Sequence, residues 1–133
     1  MIALDTNVLA RYLLNDDQVQ SAEAETLLAS GESFYVPLTV WLELAWVLDC
    51  YDCSASEIAK AVRHLLGLPN LQTSEVVALL RALDWHEQGM DFADALHLAL
   101  SGRATSLASF DRSLAKVART LGVQPPVHEP GRP

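Results

Sequence analysis

The sequence predicts an α/β protein with a parallel sheet, and three observations carry that prediction. Short apolar runs at Ile2–Leu4, Phe34–Val36 and Thr105–Ala108 alternate with segments of helical spacing. Asp5 follows the first of those runs immediately and Asp111 lies just beyond the third, where ligands gather at the carboxyl ends of parallel strands. Glycines, prolines and capping residues punctuate the chain at helix-length intervals, with no repeat, low-complexity stretch or linker between them.

Taken in order, Ile2–Leu4 reads as a buried parallel strand and Asn7–Leu14 as a short helix. Asn15, Asp16 and Asp17 offer an N-cap for a second helix, from about Gln18 to Ser30, closed by Gly31. Phe34–Val36 is a strand that stops at Pro37, after which Thr39 can cap a helix to about Asp49. Ser54 and Glu57 form a capping-box pattern for a helix through Leu66, with Gly67 and Pro69 as stops. Ser74–Gln88 reads as the next helix, ended by Gly89. Asp91 caps another through Ser101. A strand at Thr105–Ala108, a helix at Ser113–Leu121 stopped by Gly122, and an edge strand near Val123 complete the pattern. The expected organisation is one domain over residues 1–124, followed by a mobile, proline-rich tail over 125–133.

Composition narrows the classes. The 133 residues are 50% hydrophobic and 20% charged, the balance of a globular protein with a real core. No apolar stretch reaches the ~18 residues that a membrane span needs. The first residues lack the basic segment of a signal peptide, so no membrane association and a cytoplasmic location are expected. Cys50 and Cys53 form a lone C-x-x-C without a second ligand pair, which reads as structural or incidental rather than as a zinc site.

The net charge of −8 argues against a broad basic surface for nucleic acid. The charge is uneven, however. Residues 1–102 carry four basic and fifteen acidic side chains, a net of −11. Residues 103–133 carry Arg103, Arg112, Lys116, Arg119 and Arg132 against Asp111 and Glu129, a net of +3. Attraction for phosphate is therefore expected to be local, or supplied by bound metal. Arg112, beside Asp111, is the first candidate for a phosphate contact, with Arg103 and Arg11 behind it.

Four acids stand out by their surroundings. Glu43 is the sole charge between Val40 and Leu48, and Asp94 is the sole acid from Phe92 to Leu100. A helix apolar nearly all round is expected to be buried, and a buried carboxylate needs a partner, a proton or a cation. Asp5 and Asp111 close strands. If the four converge, their mutual repulsion calls for divalent cations, and an all-oxygen ligand set suits Mg²⁺ or Mn²⁺. Such a pocket is suited to phosphoryl chemistry. Asp91 reads as an N-cap, His97 as a core residue, and Trp41, Trp46 and Trp85 as core or interface residues. A receiver domain is disfavoured because Lys60 and Lys116, the only lysines, fall within helix patterns. A haloacid-dehalogenase-type phosphatase is disfavoured because Asn7 stands where a second aspartate is needed.

With these residues in place, the chain resembles the PIN-domain family, and within it the VapC toxins of toxin–antitoxin pairs. The resemblance runs from Met1 to about Val123. It rests on Asp5-Thr6-Asn7-Val8-Leu9, the isolated Glu43, the segment Asp91 to Ala99 around Asp94, and Ser109-Phe110-Asp111. It implies an α/β/α sandwich with a short central parallel sheet, and endonucleolytic hydrolysis of RNA, often tRNA or ribosomal RNA, with Mg²⁺ or Mn²⁺. Asp5, Glu43, Asp94 and Asp111 would be the metal ligands and catalytic acids, with Thr6, Asn7 and Ser109 buttressing them. It also implies in-line attack by metal-activated water without a covalent enzyme intermediate. A homodimer or a toxin–antitoxin hetero-oligomer is the implied assembly, with an antitoxin whose apolar, basic C-terminal segment suits an acidic pocket. The competing expectation is a catalytically silent PIN-like protein or RNA-binding module.

Overall fold

Capping chemistry places most of the helix boundaries in the computed structural model, which describes residues 1–132. The chain divides into two units, Met1–Ser74 and one beginning at Glu75. The first contains strands β1 (Ile2–Ala3), β2 (Phe34–Tyr35) and β3 (Leu71–Gln72) and helices α1 (Thr6–Leu14), α2 (Gln18–Leu28), α3 (Leu38–Cys50) and α4 (Ala55–Leu66). The strands form a parallel sheet in the order β1-β2-β3, with Ile2 opposite Phe34 and Phe34 opposite Leu71. Every strand-to-strand connection runs through helices, as parallel pairing demands.

The second unit holds α5 (Val76–Glu87), α6 (Phe92–Leu100), β4 (Leu107–Ala108), α7 (Arg112–Leu121) and β5 (Val127–His128). Here β4 and β5 pair in parallel, with α7 as the crossover. The fold class is therefore α/β with parallel strands throughout the described residues. None of their helices is long and apolar enough to cross a membrane.

The capping box at Ser54 forms as the sequence predicts: Glu57 N donates to Ser54 Oγ at 3.1 Å, and Ser54 N to Glu57 Oε1 at 2.9 Å. Asn15 closes α1 in the left-handed region (φ 52°) instead of opening α2, which is capped by Asp17. Asp16 does not cap. Its carboxylate receives both Arg11 (2.7 and 2.8 Å) and the Tyr51 hydroxyl (2.9 Å). That tyrosine bond, and then Arg11, hold the Asp16 carboxyl below its ordinary range.

Thr39 does not cap α3, which begins at Leu38 behind Pro37 with no side-chain cap, and four further readings need correction. Ile2 and Ala3 are exposed, because β1 is an edge strand paired only with β2 among the described residues; burial begins at Leu4. Strand β3 carries only one apolar residue, too little for hydrophobic patterning to reveal. The edge strand expected near Val123 lies instead at Val127–His128, inside the segment read as a tail. The last residue of that segment, Pro133, lies outside the described residues.

The fourth correction concerns α3. Its apolar sequence suggests burial all round, but it buries one face, made by Val40, Trp41, Leu44, Ala45 and Leu48. Trp41 is fully enclosed and its indole nitrogen donates to Thr73 Oγ1 at 2.8 Å, which in turn donates to Val36 O at 2.7 Å. Glu43 and Trp46 lie on the exposed side, and Trp46 retains 68% of its surface. Leu44→Ala is expected to destabilise the protein by about 2–5 kcal/mol, whereas Trp46→Ala should change stability by less than about 0.5 kcal/mol. Urea denaturation of both variants measures the contrast, and similar losses would refute this orientation of α3.

Candidate active site

Asp5 and Asp111 occupy the same local setting in the two units. Each follows the end of a strand and each is the N-cap of the next helix. Asp5 Oδ1 accepts from Thr6 N at 2.8 Å at the start of α1. Asp111 Oδ1 accepts from Leu114 N at 3.1 Å at the start of α7. The helix N-terminus carries unpaired N–H groups and the positive end of the helix dipole, so a carboxylate is favourable there. In each, one oxygen accepts the backbone bond and the other makes no hydrogen bond among the described residues. Both side chains are exposed.

Ser109 steadies the second of these junctions. Its hydroxyl accepts from Asp111 N at 3.0 Å, while its own N–H donates to His128 O at 2.9 Å in the neighbouring strand. At the first junction the contact to Asp5 comes from the Thr6 backbone. The Thr6 hydroxyl is buried and has no hydrogen-bond partner, and Asn7 is exposed with no bond to Asp5 among the described residues.

Asp94 sits in the first turn of α6, half-buried. Its N–H donates to Asp91 Oδ2 at 3.2 Å, so Asp91 is the helix cap that the sequence predicts. Burial first, then the nearby charges of Asp91 and Asp111, push the Asp94 carboxyl above its ordinary range. His97, exposed one turn later, partly offsets this. Asp94 and Asp111 thus share an electrostatic environment within the second unit. The physical state is one that a cation would relieve.

Glu43 is exposed on α3, against the burial that its apolar surroundings suggest, so solvent satisfies its charge without a buried partner. No hydrogen bond joins it to Asp5, the other candidate in its unit, among the described residues. In neither unit do three His, Cys, Asp or Glu side chains gather closely enough, among the described residues, to hold a metal ion.

Of the arginines, Arg11 is tied to Asp16 and to Gln20 Oε1 (3.0 Å), which removes it as a free phosphate contact. Arg112, Arg119, Arg132 and Asp111 line one cleft. Of these three arginines, the sequence reading points to Arg112 alone. The seven-residue spacing of Arg112 and Arg119, two helical turns, is the signal that could have found the second. Cys50 and Cys53 are free thiols, and burial raises Cys53, opposite to the trend of a reactive cysteine.

The PIN domain family pattern matches residues 2–120, nearly the whole described chain and both of its units. The chain belongs to the PIN domain family. PIN domains are typically metal-dependent nucleases, and the family assignment agrees with parallel strands feeding acids into helix N-termini. No curated protein matches the chain.

The donor chemistry present fits the divalent cation that PIN domains generally use. The acids at the junctions and on α6 offer oxygen donors only, the type that Mg²⁺ and Mn²⁺ take.

Asp94 gives a testable sign. An acid whose pKa rises on folding stabilises the native state only when protonated, and that contribution is lost as pH climbs through the folded value. Asp94→Asn, permanently neutral, is expected to melt above wild type at pH 7 in EDTA. The gap should close as pH falls below about 4, where the unfolded carboxyl also protonates. A lower melting temperature for the variant at pH 7, measured by circular dichroism, would contradict the assigned burial and repulsion.

Proposed function

We propose that this PIN domain is a metal-dependent endoribonuclease of the VapC toxin type, hydrolysing phosphodiester bonds in RNA such as tRNA or ribosomal RNA. The observation that carries the reading is the PIN-family match over residues 2–120, with the half-buried Asp94 close to Asp91 and Asp111 beside it. Acids crowded against their own stability are characteristic of functional sites.

Asp5, Glu43, Asp94 and Asp111 are assigned as the residues that hold Mg²⁺ or Mn²⁺, Glu43 on the strength of the resemblance alone. When bound, such a cation lowers the pKa of water and offsets charge developing on the phosphate. The protein's own part is positional. Backbone N–H groups clamp Oδ1 of both Asp5 and Asp111, so their second oxygens are held without further ordering. Ser109 Oγ, accepting from Asp111 N, fixes the turn that aims the carboxylate. A half-buried Asp94 above its ordinary pKa is also suited to accepting a proton.

The test is cleavage of a broad RNA panel with Mg²⁺ or Mn²⁺, compared with EDTA and with Asp5→Ala, Asp94→Asn and Asp111→Asn. Cleavage should require the metal and fall to the EDTA level in each variant. Ser109→Ala should lose about 10–100-fold, as expected when a group that orients a ligand is removed, and Ser109→Thr should recover it. Wild type and Asp5→Ala behaving alike would leave a catalytically silent PIN-like protein or RNA-binding module. The resemblance further assigns a homodimer and a protein antitoxin as partners. Co-expression from a two-gene operon should yield a co-purifying complex that suppresses cleavage. A neighbouring protein with no effect on cleavage would refute that assignment.

A further inference from the structure

We infer that the arginine cleft between α7 and β5 is a binding subsite for the phosphodiester backbone of RNA, beside Asp111. The cleft has a volume of about 480 Å³ and lies wholly within the second unit. Arg112 and Arg119 reach it from α7. Ala115, one turn between them, leaves room at its wall. His128, on β5, and Arg132 also line it. Arg132 and Glu129 lie beyond the stretch that matches the PIN family, so this cleft owes part of its lining to residues outside that pattern.

The charge balance within the cleft favours an anion. Glu129, only 19% exposed, is shared by two guanidinium groups, Arg132 at 2.8 Å and Arg112 at 3.5 Å. Arg119 has no ion-pair partner among the described residues. Asp111 has one oxygen engaged by Leu114 N. Three arginines thus face two carboxylates, in a chain whose net charge is −8. Each guanidinium has five N–H donors in a planar fork, and one shared carboxylate occupies few of them. A phosphodiester accepts from several such forks at once, and its negative charge is matched by the local excess. Glu129 competes with an incoming phosphate for Arg112 and Arg132, so it sets a limit on how much of their charge a ligand can use.

Because Asp111 lines the same cleft, a phosphate held by the arginines lies near an acid assigned to the chemistry. This inference rests on the nuclease reading for its choice of RNA, but binding and cleavage are measured separately. The probe is a short fluorescein-labelled single-stranded RNA, with binding followed by anisotropy in EDTA over a salt series. Arg119→Gln with Arg132→Gln should weaken binding by about tenfold. The salt slope should fall by about 0.7 for each phosphate that the variant no longer neutralises. Glu129→Gln should act in the opposite direction, tightening binding and steepening the slope, a gain that misfolding cannot produce.

Wild-type affinity and slope in the double arginine variant would overturn the subsite. So would Glu129→Gln binding no more tightly than wild type, or arginine-dependent capture of poly-glutamate without capture of RNA. Arginine-dependent RNA binding by a protein that cleaves nothing would sink the nuclease reading and leave the subsite standing. Metal-dependent cleavage with arginine-independent binding would do the reverse.

Discussion

The structure turns on a junction used twice, in which a short parallel strand is followed within three residues by an aspartate that starts a helix. A strand end and a helix start each leave backbone groups without partners, and a carboxylate answers the helix's need with one oxygen. At Asp5 and Asp111 that bond is made to Thr6 N and Leu114 N. The cap contributes about 1 kcal/mol to stability in typical cases. It also orients the second oxygen with no separate scaffold. On the proposed nuclease reading, fold and chemistry draw on the same residue, and the demand for a cap does not compete with a demand for a ligand.

Asp94 lies under a different constraint. It is not a cap but the residue whose N–H the cap Asp91 receives, and it lies in the first turn of α6, half-buried. The helix dipole there favours its charge, while burial and two neighbouring aspartates oppose it. The opposition prevails. On the proposed reading, the domain accepts lower stability at that position in return for a group poised to bind a cation or a proton.

Charge is also divided along the chain in a way that suits a polyanionic ligand. The acidic residues that give the net −8 are concentrated before residue 103, while the last thirty or so residues are net basic. The fold gathers three of those basic residues around one cleft beside Asp111 and ties two of them to the mostly buried Glu129. A locally positive groove on an acidic protein admits phosphate at one place and repels it elsewhere, which favours registered binding over adhesion along the whole surface.

Local chemistry is what the sequence by itself determined. The capping box at Ser54, the cap at Asp91, the glycine end of α7 and the alternation of strands with helices all depend on residues a few positions apart, so they are readable without coordinates. Tertiary structure decided everything that depends on which neighbour covers a face. The apolar α3 shows one side to solvent, leaving Glu43 exposed, because amphipathic spacing is invisible when both faces are apolar. Strand β3, with a single apolar residue, exists only because β2 offers it an edge, and β5 because β4 does. The arginine cleft likewise unites residues from α7 and from beyond β5, a meeting set by strand pairing and not by spacing along the chain.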